Sequence, residues 1–323
     1  MITLQSLTTE QETKILGLKS AHFRMDRADR LRDAVVQCIE DYRLRSKLGK
    51  PFEARGVIVT GNTRVGKSQE IQRVLEEVNN LALPMKNGTQ ARMVHCLLSG
   101  RGTWKDLGNR TIAATGYRKK SGETQDAVWQ RVTTVAENTG VIGIHYDECQ
   151  HVFVKGSRNS AATNASILDS FKTLLKDRGH PLILILSGVP ELAEFVNTEP
   201  QLAHLLRPVH FDDIVLARSS DKDEVTALLF EYADLAEVSM DELMTEDFLG
   251  RLVFACCNRW GLVIELICDA LERCIRADEN HCGLHRFNEA LCDRTGLSPS
   301  YTPFVVPDYV SAFDPAQLEQ LRL

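Results

Sequence analysis

Short apolar runs and stripes of helical period alternate along the first two thirds of the chain. Val57-Ile58-Val59 is a β-branched run, the mark of a buried parallel strand, and Ile71, Val74, Leu75 and Val78 then recur at helical spacing. Met93–Leu98 reads as a strand and Thr124–Thr139 as a helix. Val141–Tyr146 is a further apolar strand, and its His145 and Tyr146 predict a partly exposed end. A helix follows over Ile167–Lys176, with Ile167, Leu168, Phe171, Leu174 and Leu175 on its apolar face, before the strand Pro181–Leu186. Strand, helix, strand in this order implies parallel strands joined by right-handed crossovers. From about Ala217 the pattern is helical throughout: Val225, Leu228, Leu229 and Tyr232, then Phe248, Leu252 and Val253, then Leu262, Leu266, Ile267, Ala270, Leu271 and Ile275.

The turn after the first strand carries chemistry. Gly61-Asn62-Thr63-Arg64-Val65-Gly66-Lys67-Ser68 is a complete G-x-x-x-x-G-K-[ST] between a strand and a helix. The two glycines let the backbone turn tightly, so that successive N–H groups point at phosphate oxygens. The following helix, opening through Gln69, aims the positive end of its dipole at the same anion. Lys67 is placed to reach the β- and γ-phosphates of ATP, and the Ser68 hydroxyl to ligate Mg²⁺.

The strand ending in Tyr146 runs into Asp147-Glu148, about eighty residues beyond Lys67. A carboxylate there is expected to hold Mg²⁺, and the next, Glu148, to orient and deprotonate the water that attacks the γ-phosphate. The strand Pro181–Leu186 ends in Ser187-Gly188. Ligands of parallel sheets sit at the carboxyl ends of strands, where Gly61, Asp147 and Ser187 all fall.

These three features together resemble AAA+ ATPases, which implies an α/β fold: a three-layer αβα P-loop domain with a parallel sheet, then a small helical lid. The implied limits are an N-terminal helical segment over 1–55, the nucleotide domain over 56–216, the lid over 217–290 and a tail over 291–323. In that superfamily the polar residue ending the third strand senses the γ-phosphate, which nominates Ser187. Gln201-Leu202-Ala203-His204-Leu205-Leu206-Arg207-Pro208 fits the place of an arginine finger acting on a neighbouring subunit, which nominates Arg207; the plainer reading is a helix-terminal cation. Arg259, in Cys256-Cys257-Asn258-Arg259-Trp260-Gly261, stands where the lid's γ-phosphate sensor would be.

Within AAA+ the chain is similar to the TniB/TnsC group of transposition regulators. The residues that carry this are Phe23-Arg24-Met25-Asp26-Arg27-Ala28, Asp147-Glu148-Cys149-Gln150-His151, and Leu184-Ile185-Leu186-Ser187-Gly188-Val189-Pro190-Glu191-Leu192, and the likeness spans about Phe23 to Ala277. Asn62-Thr63-Arg64-Val65 departs from the commonest P-loop centre, and Ser187 stands where Thr or Asn is frequent. The resemblance implies self-assembly in the ATP state, as a ring or filament on double-stranded DNA, and recruitment of a transposase.

Composition adjusts this picture. A net charge of −6 rules out an all-over basic surface, though not a local footprint. Basic residues concentrate over Arg24–Lys50, read as a solvated helix face, and over Gly100–Gly122, read as a long loop. Arg101, Lys105, Arg118, Lys119 and Lys120 are the expected DNA contacts, with Lys155 and Arg158 as a second set. Nine scattered cysteines, with gaps unlike a compact zinc knuckle, read as free thiols. No long apolar stretch or signal peptide is seen, so a cytoplasmic location with no membrane partner is expected. The Pro-interrupted Ser298–Pro307 cannot be helical; the tail 298–323 either docks a partner such as the transposase or packs on its own lid. An alternative function is an AAA+ ATPase that remodels or signals through a protein partner without DNA. That reading usually needs an aromatic pore loop, for which Gly102-Thr103-Trp104 is the nearest segment. A scaffold holding an unhydrolysed nucleotide is disfavoured by Glu148.

Overall fold

A computed structural model describes residues 7–98, 100, 103–153 and 160–321. In chain order its elements are α1 (Thr9–Ser20), α2 (Asp26–Lys47), β1 (Gly56–Gly61), α3 (Lys67–Asn80), β2 (Arg92–Leu97), α4 (Trp104–Ala114), α5 (Gln125–Thr139), β3 (Val141–Asp147), α6 (Ser160–Leu175), β4 (Ile183–Gly188), α7 (Glu191–Asn197), α8 (Pro200–Ala203) and β5 (Leu206–Phe211). The remaining helices are α9 (Ser219–Ala236), α10 (Glu246–Ala255), α11 (Trp260–Ala277), α12 (Leu284–Thr295), α13 (Tyr309–Ala312) and α14 (Pro315–Gln320). They form two compact units, one of Asp26–Phe211 and one of Met1–Met25 with Asp212–Leu323. Among the described residues no helix is long and apolar enough to cross a membrane.

The first unit is a five-stranded, all-parallel sheet in the order β2-β3-β4-β1-β5. Every residue of β1, β3 and β4 is buried, as expected for central strands covered by helices on both faces. Helix α2 packs on β1 and β5, α3 on β1 and β2, α5 on β3, and α6 and α7 on β4. The register pairs Thr60 with Gly188, Val59 with Ser187, and Tyr146 with Leu186. The carboxyl ends of β1, β3 and β4 are therefore level along one edge.

Several sequence expectations need correction. Gly100–Gly122 is not one loop. Helix α4 begins inside it, because Thr103 and Asp106 cap its first turn reciprocally, and Leu107, Gly108, Thr111 and Ile112 are buried. The segment around Arg207 is a strand, β5, not a helix end. Pro208, without an N–H to donate, is tolerated there because β5 lies at the edge of the sheet. The end of β3 is not exposed: His145 and Tyr146 are both wholly buried. Tyr146 is accommodated because its hydroxyl donates to Thr111 Oγ1 at 2.8 Å, and Thr111 in turn donates to the Leu107 carbonyl.

In the second unit, α9 to α12 enclose a core with Ile15 and Leu18 of α1, so that α1 and α2, read together from the sequence, fall in different units. Ser298–Pro307 packs on this unit through buried Phe304 and through Arg251, which donates to the carbonyls of Pro303 and Val306 at 2.7 and 2.8 Å.

Gly140 ends α5 with φ +73°, and a Cβ there would lie 2.1 Å from the Gln90 carbonyl oxygen. Gly140→Ala is expected to lower the unfolding free energy by about 2 kcal/mol or more, read from the midpoint of a denaturant titration.

Candidate functional site

The loop between β1 and α3 is shaped by its glycines. A Cβ on Gly61 would come within 2.6 Å of the Phe211 carbonyl, and Gly66 has φ +95°. Val65 is buried beneath the loop, whereas Thr63, Arg64 and Gln69 are exposed, and Asn62 and Ser68 are half-buried. Gly66 stands at the N-cap of α3 and gives its first turn no side-chain hydrogen bond, a helix start of the kind that suits an anion. The buried Lys67 ammonium donates to the Gly61 and Asn62 carbonyls, both at 2.8 Å, which brings its charge back over the loop.

Asp147, at the end of β3, is 3% exposed. Its Oδ1 accepts from Ser187 Oγ at 2.5 Å and from the Glu148 N–H at 3.0 Å. Burial pushes this carboxyl up, but hydrogen bonds from the hydroxyls of Ser187 and Ser68 and from the Glu148 amide hold it below the ordinary range. Asp147 is thus an ionised carboxylate beside the Ser68 hydroxyl. Both are hard oxygen donors, of the kind Mg²⁺ takes together with water and phosphate, so the residues present fit the expected ion.

A chain of hydrogen bonds runs behind this carboxylate, and its direction follows from the donors. Because Ser187 spends its proton on Asp147, its oxygen accepts from His145 Nε2 at 2.8 Å. His145 Nδ1 is then an acceptor for His95 Nδ1 on β2, 2.9 Å away. Burial depresses the His145 pKa to about 3, so the ring is neutral and has a single proton, on Nε2. Ligand atoms of His95, His145 and Asp147 lie within 4.8 Å of one another. The two nitrogens of His145 serve opposite sides, however, and the group is a relay and not a ligand shell.

Glu148 has φ 59° and ψ 41°, a left-handed conformation costing a non-glycine residue roughly 1–2 kcal/mol. That turn directs its carboxylate off the line of the strand, where Gln150 Nε2 donates to it and His151 Nε2 stands 3.8 Å away. Gln150 Oε1 in turn accepts from the Val189 N–H at 3.3 Å, tying Glu148 to the end of β4. A Cβ on Gly188 would lie 2.5 Å from that Gln150 oxygen. The sequence reading gave no role to Gln150, His145 or His95. The signal for Gln150 was its spacing of two from Glu148.

The structure brings Gly61, Lys67, Ser68, Asp147, Glu148 and Ser187 to one edge. It does not bring Arg207 there. Arg207 pairs in register with Val57, four residues back from Gly61 and hence about 13 Å down the strand. Its exposed guanidinium donates to Gln37 Oε1 at 2.7 Å. Arg259 precedes α11 and pairs with Asp213 within the second unit. Lys105 lies in the first turn of α4, and Arg118, Lys119 and Lys120 are exposed between α4 and α5. Arg101, Lys155 and Arg158 lie outside the described residues.

Residues 50–196 match the family model described as AAA domain. No curated protein matches the chain. Among solved structures, it is similar to the ORC2 protein of Aeropyrum pernix in ADPNP–ADP complexes, with 14% identity and a TM-score of 0.55 over 84% of this chain and 69% of that one. It is similar also to the A. pernix ORC1 protein in complex with DNA (14%, 0.55, 87% and 69%) and to Cdc6p of Pyrobaculum aerophilum (13%, 0.56, 85% and 69%). At such identities the likeness concerns the fold, which is the αβα P-loop fold of the AAA+ ATPases with a helical C-terminal region.

Ser187→Ala would strip Asp147 of a donor and the buried His145 N–H of its acceptor. A loss of about 1–3 kcal/mol in a urea titration is expected; an unchanged midpoint would refute the relay.

Proposed function

We propose that this chain is an ATP hydrolase that assembles with copies of itself on double-stranded DNA and regulates DNA transposition by recruiting a transposase. The observation that carries the ATPase part is the convergence of Lys67, Ser68, Asp147, Glu148 and Ser187 on one edge of the sheet. In this reading the P-loop amides and Lys67 bind the phosphates, and Ser68 and Asp147 hold Mg²⁺, which supplies neutralisation of phosphate charge. Glu148 takes the proton of the attacking water as the γ-phosphate leaves ADP. Gln150 fixes the carboxylate, and Ser187 keeps Asp147 ionised while facing the same edge.

Arg207 lies too far from its own P-loop to reach the phosphates, so a role in turnover requires that it serve a neighbouring copy. Assembly on DNA draws support from exposed Arg118, Lys119 and Lys120, and from the ORC1 likeness, a protein solved with DNA. The alternative of a protein-remodelling ATPase loses ground on one contact. Trp104, its nearest aromatic pore residue, is stacked on Trp129 with centroids 4.1 Å apart and meets Phe171 edge-on. The transposase role itself rests on the resemblance of the Asp147–His151 and Leu184–Leu192 segments to the TniB/TnsC group, with the tail 298–323 as the proposed contact.

Glu148→Gln is expected to retain ATP binding and lose at least about a hundredfold in hydrolysis, whereas Lys67→Ala loses binding itself. Arg207→Ala alone should also be inactive. Mixing the Glu148→Gln and Arg207→Ala proteins should restore part of the turnover, since one supplies the intact site and the other the intact arginine. A mixture as dead as its components would remove Arg207 from the mechanism.

Hydrolysis measured with and without duplex DNA separates the DNA-dependent reading from its alternative. Reversing Lys119 and Lys120 to Glu should weaken duplex binding and flatten its log–log salt slope by roughly 2. An unaltered slope would move the DNA surface elsewhere.

A further inference from the structure

At the opposite end of the same sheet, before the amino ends of β1, β2, β3 and β4, lies a cavity of about 760 Å³. Its apolar lining includes Ile39, Tyr42, Phe52, Met85 and Ile142. Arg43, Lys47, Lys50, Lys86 and Arg178 also line it, against one carboxylate, Glu137. In a chain of net charge −6, that is a local reversal of sign. Arg43, Lys47, Lys50 and Arg178 make no ion pair among the described residues, and Lys86 donates only to the Ser46 carbonyl. The basic run read from the sequence as a solvated helix face thus has its last turns on a cavity wall.

A second observation concerns the floor beneath these cations. Tyr42 is 5% exposed, meets Phe52 edge-on at 5.2 Å, and makes no hydrogen bond through its hydroxyl among the described residues. Its oxygen is not among the buried polar atoms without a partner, so it opens onto the cavity. Burial, with Glu137 nearby, pushes this hydroxyl to about 12, so it stays protonated and is a donor on the cavity floor. Along α2, Ile39, Tyr42 and Ser46 share a face with Arg43 and Lys47, so apolar and cationic groups interleave where a bound chain would run.

We propose that this cavity binds an acidic segment of a partner protein. One aromatic or large aliphatic side chain enters over Tyr42 and Phe52, and flanking carboxylates meet Arg43, Lys47, Lys50, Lys86 and Arg178. Duplex DNA fits less well, because a nonspecific phosphate surface needs no apolar floor and a duplex offers nothing to fill one. The volume suits one large anchor with its neighbours. The cavity and the phosphate-binding edge lie at opposite ends of the strands, so the two occupancies are compatible.

The test uses the full-length chain and fluorescent peptides in which one variable residue sits between acidic triplets of Asp and Glu, with binding read by anisotropy. Peptides with Trp, Phe or Leu at the variable position should bind at least about tenfold more tightly than those with Ala or Lys. The double variant Arg43→Glu/Lys47→Glu should lose about tenfold or more for the anchored peptides. Tyr42→Phe should weaken them severalfold with the fold intact by circular dichroism. Lys67→Ala should bind them like the wild type, which separates this proposal from the nucleotide reading. Affinity independent of the variable residue, no binding by any peptide, or indifference to the charge reversal would each overturn it. So would a charge reversal that abolishes duplex binding while sparing the peptides.

Discussion

The site depends on keeping one carboxylate ionised at the buried end of a parallel sheet. Removing an isolated carboxylate from water costs several kcal/mol, and Asp147 is almost wholly enclosed. The cost is met locally, by two hydroxyls and a backbone amide aimed at the same oxygens. Strand register makes this possible. Ser187 stands beside Asp147 because β3 and β4 are parallel and paired through Tyr146 and Leu186, and β1 delivers the P-loop alongside because Val59 pairs with Ser187. A slip of one residue in either pairing would turn the hydroxyl to the other face of the sheet.

Two levels of strain and support surround that centre. Glu148 occupies a left-handed conformation that strand geometry would not give it, and Gln150 bridges it to the turn after β4. The glycine at 188 is then explained by space, since a side chain would displace the Gln150 amide. The short motif from Asp147 to His151 is a single mechanical unit, in which the first acid is held by the sheet and the second by a side chain two residues on.

Much of this could be read from the sequence because the signals were local. The β-branched run, the glycine spacing and the lysine sit within a dozen residues, and the acidic strand end announces itself without help from elsewhere. What escaped was set by distant partners. His145 and Tyr146 look like wet positions in an apolar strand until His95, Ser187 and Thr111 arrive to bond them. Strand β5 was hidden by its proline and by exposed Arg207 and His210, features that an edge strand tolerates. Helix α4 did carry a local signal, Thr103 and Asp106, but lysines and glycines around it suggested a loop. The packing of Ser298–Pro307 rests on Arg251, some fifty residues earlier, which no local pattern reveals.

The relay also couples two positions that never meet in the chain. With a histidine at 145, the residue at 187 must both give and receive a proton, which Ser, Thr or Asn can do and an apolar residue cannot. An aliphatic residue at 145 would lift half of that demand, leaving 187 answerable to the carboxylate alone. Relatives that retain the imidazole should therefore show a narrower choice at 187 than those that have lost it, a trace of the buried wiring written into which side chains travel together.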